Sequence, residues 1–348
     1  ISYIPPLWLI QLRERLDHAG YNSTQLVAPD ASSTGSQVLK LLDDMLNTSK
    51  LADAVDVIGT HGFWDAPPAS FQELTSRYAK NAKRAWVSES WHQMGTWNGA
   101  KGMVSKVLAA QQQGYSGWTA WGLLFAAYPV TLCQDKGLLY STQPWAGSYN
   151  IQGTVWTTAH FTQFSEPGWS WLAEGNGTGT FGTAGSRFAT LVNPKTGDWS
   201  LIVNNLDSST SERVRFAVRN TPLGGASSGS RLTVFATNET SWFREQTPPA
   251  VDSSGEFVLE VERETVYTIT TLGGPAIPHK GLHPHSELAA PFPLPHADNF
   301  SSYADGRSPR FFTDWDGSFS IEHGVLKQQV LKPPIRWHCT DVDPITLV

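Results

Sequence analysis

Cysteine and charge are both scarce in this sequence. Its 348 residues include only two cysteines, Cys133 and Cys339, and two cysteines make no disulfide framework. Charged residues make up 16% of the chain, below the roughly 25% of ordinary soluble domains, and the net charge is −6. Because no basic run is present, we expect no nucleic-acid partner.

Long apolar runs and nucleotide-binding motifs are also missing. The longest uncharged stretch, residues 107–134, contains glutamines, several glycines and Pro129, so we expect no transmembrane segment. No Gly-x-Gly-x-x-Gly motif follows a predicted strand, which argues against a dinucleotide site. We expect no cofactor and no metal ion. The first residues lack the features of a signal peptide, and we expect a mature form or a fragment.

Tryptophan, by contrast, is abundant, with 15 copies in a chain rich in glycine and serine. Clustered tryptophans usually fill cores, but in a polar chain some are suited to stack against sugar rings. Asn-x-Ser/Thr triplets are also frequent, and five of them favour a secreted or lysosomal glycoprotein. They begin at Asn22, Asn47, Asn176, Asn238 and Asn299.

Short apolar strand candidates recur at a regular interval in the first part of the chain. They begin near Gln25, Val55, Ala85 and Gly117, at intervals of 30, 30 and 32 residues. Strand–helix units at this interval predict a parallel sheet, either doubly wound or closed into a barrel. The helical patterns between them are Leu9, Leu12 and Leu16; Val38, Leu41, Leu42 and Met45; the capping box Ser70 and Glu73; and Met103, Val107 and Leu108.

The ends of these strands are the predicted place of an active site. They carry Asp30, His61, Glu89 and Trp121. In a barrel these ends would meet at one mouth, where such enzymes have their active sites. A carboxylate ending a buried strand is costly unless paired, solvated or used, and a sugar-cleaving site needs one beside apolar rings. We therefore favour a functional Glu89 and interpret Asp30 as an isolated capping or packing residue. Three tryptophans lie near Glu89 in sequence: Trp86, Trp91 and Trp97.

The pattern changes near Gly153, where short alternating runs separated by turn residues predict an antiparallel sandwich. The runs are 190–192, 201–203, 214–218, 232–235, 257–259 and 266–269. Residues 273–296 are rich in proline and histidine, and we interpret them as a solvated linker, not a metal site. The linker histidines are His279, His283, His285 and His296. A further polar, aromatic region begins after the linker.

The run TQPWAGSYNIQGTVWTTAHFTQFSEPGWSWL, residues 142–172, resembles a segment of the lysosomal galactocerebrosidases, glycoside hydrolase family 59. AVDVIGTH, AWVSES, GWTAWGL and VYTITTL match the same family in the same order, and Asp298-Asn299-Phe300 resembles the start of its lectin-like domain. A complete barrel takes about 250 residues, and only four repeats are seen here. The resemblance therefore implies the C-terminal half of a (β/α)8 barrel at 1–152, a sandwich at 153–272, the linker at 273–296 and the start of a lectin-like β domain at 297–348.

The family's activity implies retaining hydrolysis of the β-galactosyl bond of galactosylceramide-type sphingolipids. It also implies a glycosphingolipid substrate, a saposin-type lipid carrier and a lysosomal or secreted location. AWVSES matches the seventh barrel strand, which makes Glu89 the implied nucleophile. Trp121 and Arg215 match substrate-contacting residues, and His61 matches the histidine that ends strand six.

The residues by themselves leave alternatives open for these side chains. Barrel packing is as good an account of Trp121 as substrate contact is. An exposed strand position would explain Arg215, and His61 could either orient the nucleophile or bind a neighbouring backbone group.

The sequence also departs from the family pattern. The matching acid/base glutamate falls at or before Ile1, Gly62 replaces an aromatic residue, and the half-cystine expected near Val214 is missing, so Cys133 loses its implied partner. Glu166 replaces an amide and receives no catalytic role. We expect the isolated chain to be weakly active or inactive, because loss of a general acid typically costs about 10²–10⁴-fold. Two alternatives stay open: another retaining barrel hydrolase, or a non-catalytic carbohydrate-binding relic.

Overall fold

A computed structural model describes residues 5–31, 36–61, 83–90, 95–126, 137–219, 232–273, 290–330 and 345–347. The chain divides into two units, residues 1–142 with 149–286 and residues 143–148 with 287–348. The first unit contains both the strand–helix repeats and the antiparallel sheets. The finer division at residue 152 therefore lies inside one unit and stays a prediction.

The predicted parallel sheet is confirmed over all four repeats. Its strands pair side by side in chain order, each parallel to the next. The strands are β1 (Val27–Ala31), β2 (Val57–Thr60), β3 (Arg84–Ser90) and β4 (Gly117–Ala120). The helices between and before them are α1 (Pro6–His18), α2 (Ser36–Asn47), α3 (Ser49–Ala54) and α4 (Trp97–Gln112).

Local sequence explains where these helices begin and end. Pro6 starts α1, where its missing N–H leaves no bond unmade, and Gly20 follows the helix at φ +84°. Thr96 caps α4 by accepting a hydrogen bond from the Gly99 N–H at 3.0 Å. The helix predicted from Ser70 and Glu73 lies outside the described residues.

One face of the parallel sheet is packed against α1, α2 and α3. The apolar stripe of α2 is fully buried, as its spacing predicts, and it shares a core with residues of β1, β2 and β3. The buried members of this core include Val38, Leu41, Leu42, Met45, Ile58, Ala85 and Val87. Because the four strands are parallel, their carboxyl ends lie side by side at one edge of the sheet.

The predicted antiparallel sandwich is also confirmed. A large sheet has the strand order β14-β13-β16-β11-β10-β8, with β9 paired to β10, and a small sheet pairs β12 with β15. Phe216 and Phe257 of the small sheet share a core with Trp199 and Ile269 of the large one. The strands are β8 (Ser170–Trp171), β9 (Gly179–Phe181), β10 (Ser186–Val192), β11 (Trp199–Asn204), β12 (Glu212–Ala217), β13 (Thr233–Thr237), β14 (Arg244–Gln246), β15 (Glu256–Val261) and β16 (Val266–Thr270).

The other face of the large sheet is covered by helices, so β11 and β16 are buried throughout. Ile202 and Leu206 pack with Val104 and Leu108 of α4. A further helix, α5 (Gly153–Thr162), adds Phe161 to this core. The sequence predicted only strands from Gly153 onward and missed α5, because its apolar residues lie on all sides and leave no amphipathic pattern.

Short elements complete the first unit and form the second. The first unit has a three-stranded sheet of β5 (Leu124–Ala126), β6 (Leu139–Ser141) and β7 (Asn150–Ile151). The second contains a 3₁₀ turn (Pro144–Ala146) and two strand pairs, β17 (Thr313–Asp316) with β20 (Ile345–Leu347) and β18 (Phe319–Glu322) with β19 (Val325–Gln328). No helix in the described ranges is both long and apolar enough to cross a membrane.

His296, at the end of the predicted linker, packs among aromatic rings, and the linker interpretation of residues 273–296 stays a prediction. Its ring packs edge-to-face on Phe292 at 5.7 Å and on Phe311 at 5.3 Å, and Trp145 packs on Phe292 at 5.6 Å. The His296 ring therefore contacts aromatic side chains from other segments. The spacing of the histidines in the sequence does not predict these contacts. His279, His283, His285, Cys133 and Cys339 lie outside the described residues.

Candidate active site

Three of the four predicted strand-end side chains meet at the carboxyl edge of the parallel sheet. Asp30 belongs to β1, His61 follows β2 and Glu89 lies near the end of β3. The His61 backbone N–H donates to the Ala31 carbonyl at 2.9 Å, which extends the pairing of β1 and β2 past the last strand residue. This bond holds the imidazole between the strand that carries Asp30 and the strand that carries Glu89.

The side chains form a group of two carboxylates facing one imidazole nitrogen. Nε2 of His61 is 3.4 Å from Glu89 Oε2 and 3.4 Å from Asp30 Oδ1. Ionised carboxylates only accept hydrogen bonds, so this arrangement favours a proton on Nε2 of His61. The imidazole is 19% exposed, Glu89 28% and Asp30 59%. The group thus lies at the surface of the edge, where a ligand can reach it.

The interpretation of Asp30 as an isolated residue is wrong. Besides facing His61, Asp30 Oδ1 accepts a hydrogen bond from Ser88 Oγ at 2.6 Å, across two strands. Ser88 is a site residue that the sequence did not suggest. Strand alternation puts Ser88 on the same face as Trp86, away from the helix-packed Val87, and this pattern is the signal that could have found it.

Trp121 is the exposed tryptophan at this edge. Its backbone N–H donates to the Ser90 carbonyl at 2.9 Å, directly after β4, and its ring is 39% exposed and packs edge-to-face on Phe125 at 5.6 Å. An exposed aromatic ring at the same edge of the sheet as Glu89 is suited to stack on a sugar ring.

The tryptophans near Glu89 in sequence have other positions. The Trp86 ring lies so close to Gly117 on β4 that a side-chain carbon there would come within 2.5 Å of it. Trp97 begins α4 and packs into the core between helix and sheet. Trp91 lies outside the described residues. The aromatic surface at the site therefore comes from the next strand end, and Trp86 and Trp97 serve packing.

Arg215 lies on the small sheet of the sandwich. Its Nη1 donates to Glu256 Oε2 at 3.4 Å on the paired strand β15. Glu256 also accepts from Arg219 Nη2 at 2.9 Å. Across the described ranges, no hydrogen bond or ion pair joins Arg215 to Asp30, His61 or Glu89. Its role in binding substrate stays a prediction.

Aspartate, glutamate and histidine are also common metal ligands. Within the part of the chain that the structure describes, no three His, Cys, Asp or Glu side chains are placed to hold one metal ion. The reactive group at this edge is the Glu89 carboxylate, which is partly exposed. One of its oxygens faces the His61 imidazole. Such a carboxylate can attack an electrophilic carbon with its other oxygen.

Comparison with known sequences identifies this part of the chain. The profile of glycosyl hydrolase family 59 matches residues 4–163, which include β1 to β4 and the whole carboxylate–imidazole group. This part of the chain is therefore similar to glycosyl hydrolase family 59. The chain as a whole is similar to the galactocerebrosidases of Salmo salar, at 26% identity over 95% of this chain, and of Mus musculus, at 27% over 98%. It spans 51% of the length of each.

Solved structures show a shared fold at lower identity. A family 30 endoxylanase from Clostridium papyrosolvens has a TM-score of 0.54 at 17% identity, over 77% of this chain and 61% of that one. A family 30 xylanase from Clostridium acetobutylicum has a TM-score of 0.55 at 14% identity, over 75% of this chain and 60% of that one. The mixed fold with a parallel sheet is therefore one that glycoside hydrolases use.

Proposed function

We propose that the polypeptide carrying this chain is a retaining β-galactosidase in which Glu89 is the nucleophile. The observation that carries the proposal is the position of Glu89, at the carboxyl edge of the parallel sheet and 3.4 Å from the His61 imidazole. The family 59 match over residues 4–163 supports it. The galactocerebrosidases that the chain resembles support the choice of galactose as the sugar.

The four parallel strands correspond, in this proposal, to strands five to eight of a (β/α)8 barrel. Their order and the helices packed on one face support this, since barrel strands pair in chain order and carry their helices outside. The proposal puts Glu89 on strand seven and Trp121 directly after strand eight. The carboxyl edge is then the mouth of the barrel.

The reaction has two steps. An oxygen of Glu89 attacks the anomeric carbon while the acid/base carboxyl protonates the departing aglycone oxygen, which forms a covalent galactosyl-enzyme. Water then gives a proton to the same carboxylate, attacks the anomeric carbon and releases galactose and the Glu89 carboxylate. Because Oε2 of Glu89 faces the His61 imidazole at 3.4 Å, the proposal assigns the attack to Oε1. Retaining hydrolases also need an acid/base carboxyl about 5–5.5 Å from the nucleophile. The resemblance implies a glutamate at or before Ile1 for this role.

Two side chains would contact the sugar. The exposed face of Trp121 would pack against the galactose ring, and Arg215 would donate to sugar hydroxyls. Arg215 meets this requirement only if its guanidinium exchanges part of its contact with Glu256 for the ligand.

We further propose a galactosylceramide-type sphingolipid as the substrate, a saposin-type carrier that presents it and a lysosomal location. The names of the curated relatives support the lipid. The glycan acceptor sites support passage through the secretory pathway, since four of the five asparagines are exposed: Asn22, Asn47, Asn176 and Asn299. A different retaining glycosidase specificity is the main alternative.

The test uses the full polypeptide that contains this sequence, with 2,4-dinitrophenyl β-galactoside and the matching glucoside. Dinitrophenolate leaves without a proton, so kcat/KM, which covers only the first step, reports on the nucleophile and the sugar pocket and not on the acid. We expect faster hydrolysis of the galactoside, release of the β-anomer by NMR, and loss of activity in Glu89→Gln but not in Glu166→Gln. Faster hydrolysis of the glucoside would contradict the sugar assignment. An α-anomer or an active Glu89→Gln enzyme would contradict the mechanism.

A further inference from the structure

Asp30 occupies an irregular position in β1. Pro29 pairs with Gly59 and Ala31 pairs with Thr60, so Asp30 is an extra residue that bulges out of the register. Its φ is +55°, in the left-handed region that costs energy for every residue except glycine and costs least for aspartate and asparagine. Bulges turn side chains toward sites at strand ends, and backbone strain of this kind clusters at functional positions.

The bulge brings the Asp30 carboxylate over the neighbouring strand toward β3. Ser88 Oγ donates to Asp30 Oδ1 at 2.6 Å, although β2 lies between their two strands. Gly59 of β2 leaves the space for this bond. A side-chain carbon at position 59 would lie 3.3 Å from Ser88 Oγ and 2.6 Å from Val27 Cγ1. The contact between Asp30 and Ser88 therefore depends on three strands: the bulge in β1, Gly59 in β2 and the Ser88 hydroxyl in β3.

We propose that Asp30 is a positioning residue for the reaction at Glu89. This inference rests on the proposed function and extends it. Ser88 fixes the Asp30 carboxylate, and Asp30 Oδ1 and Glu89 Oε2 both face Nε2 of His61, each at 3.4 Å, so the three side chains form one network around the imidazole. The attacking oxygen is then kept in one orientation before the sugar arrives. Misplacement of a reacting group by about 1 Å costs on the order of 100-fold in rate.

A local role offers a competing account of Asp30. The position has φ +55°, and an aspartate could be present only because it tolerates this backbone. Glycine and asparagine separate the two accounts. Asp30→Gly removes the carboxylate and relieves the backbone, whereas Asp30→Asn keeps the shape and an acceptor for Ser88 but loses the charge that faces His61. A role limited to the backbone predicts that both variants react like the wild type.

The experiment measures inactivation of the full polypeptide by 2-deoxy-2-fluoro-β-galactosyl fluoride, a reagent that traps the galactosyl-enzyme. The inactivation rate constant reports on nucleophilic attack, and the inactivator constant reports on sugar binding. We expect the rate constant to fall about 10–100-fold in Asp30→Gly and less in Asp30→Asn and Ser88→Ala, with the inactivator constant within about twofold. Asp44→Asn, on the surface of α2, is the matched control. Thermal unfolding confirms that each variant is folded.

The possible results distinguish failure of the positioning role from failure of the proposed function. A wild type that is not labelled would overturn the proposed function, and this inference with it. A labelled wild type, with Asp30→Gly and Asp30→Asn both inactivated at the wild-type rate, would overturn the positioning role alone. A change confined to the inactivator constant would also overturn it, because it would assign Asp30 to sugar binding.

Discussion

Two regions of the first unit hold a histidine in opposite surroundings. At the carboxyl edge of the parallel sheet, Nε2 of His61 faces two carboxylate oxygens, each 3.4 Å away. Under the large antiparallel sheet, His160 of α5 is fully buried, with Nδ1 2.8 Å from Thr268 Oγ1 and Nε2 2.8 Å from Thr237 Oγ1. The first histidine lies among charges at the surface, and the second among hydroxyls in the interior.

This difference shows how the environment decides what a histidine does. Burial lowers the pKa of His160 to about 3, because the interior disfavours its charged form. A histidine with that pKa stays neutral even in an acidic compartment and joins α5 to β13 and β16. His61 instead faces a partly exposed carboxylate that is free to react. His160 thus belongs to the packing of the interior, whereas His61 lies beside the carboxylate that the proposed function uses.

We expect the largest loss of activity from a change of Glu89, at the carboxyl edge of the parallel sheet. Glu89→Gln replaces the proposed nucleophile by a neutral amide, which attacks carbon poorly, and we expect the hydrolysis of dinitrophenyl galactoside to fall by about 10⁴-fold or more. The thermal unfolding temperature should change little, since the side chain is partly exposed. A comparable loss in Glu166→Gln would show that carboxylates elsewhere matter equally and would break the distinction between the regions.

The next largest effect is expected in the core, as a dependence of stability on pH. The pKa of His160 is lower when folded than its ordinary 6.5, so the unfolded chain binds the proton more readily. Stability from this residue is full above pH 6.5 and is lost as the pH falls toward 3. Between pH 7.5 and 4.5 the loss is about 2–3 kcal/mol.

Urea unfolding at the two pH values checks this. His160→Gln should remove most of that difference in the free energy of unfolding, whatever its effect at neutral pH. His18→Gln, at the exposed end of α1, should leave the difference unchanged. An unaltered difference in His160→Gln would contradict the assignment.

A smaller effect is expected at Trp121. Replacement by alanine removes the exposed ring that would pack on galactose, and we expect KM for the galactoside to rise about tenfold, equivalent to 1.4 kcal/mol. Trp121→Phe should recover part of the loss. Trp8→Ala removes an exposed tryptophan from α1 and is the control, and an equal change there would argue against a sugar contact.

The smallest effect is expected at Arg215, for which β12 offers a matched control. Arg213 lies two residues away and pairs with Glu260 at 3.2 Å, just as Arg215 pairs with Glu256. Exposed pairs of this kind contribute about 0–1 kcal/mol to stability, so both alanine variants should unfold alike. Only Arg215→Ala should raise KM, by up to about tenfold. Equal KM values would remove Arg215 from the site.

Helices and strands that depend on the spacing of nearby apolar residues could be predicted from the sequence. The spacing of Val38, Leu41 and Met45 predicted α2, and alternating apolar residues predicted the sandwich strands, because each element buries one recurring face. Glu89 and His61 followed from their places at strand ends. The resemblance added their roles.

The sequence could not predict contacts that depend on tertiary packing. The bond between Ser88 and Asp30 joins residues 58 positions apart, across a strand whose glycine leaves room for it. The bulge at Asp30 leaves no periodic signal. The buried pairing of His160 with Thr237 and Thr268 likewise needs three elements brought together.

The most direct test of the central claim is to identify the residue that carries the trapped sugar. After inactivation of the full polypeptide with 2-deoxy-2-fluoro-β-galactosyl fluoride, peptide mapping by mass spectrometry should find the fluorogalactosyl group on Glu89 and on no other residue. A stable adduct on another carboxylate, such as Asp30, would contradict the account, because the nucleophile would then lie on a different strand.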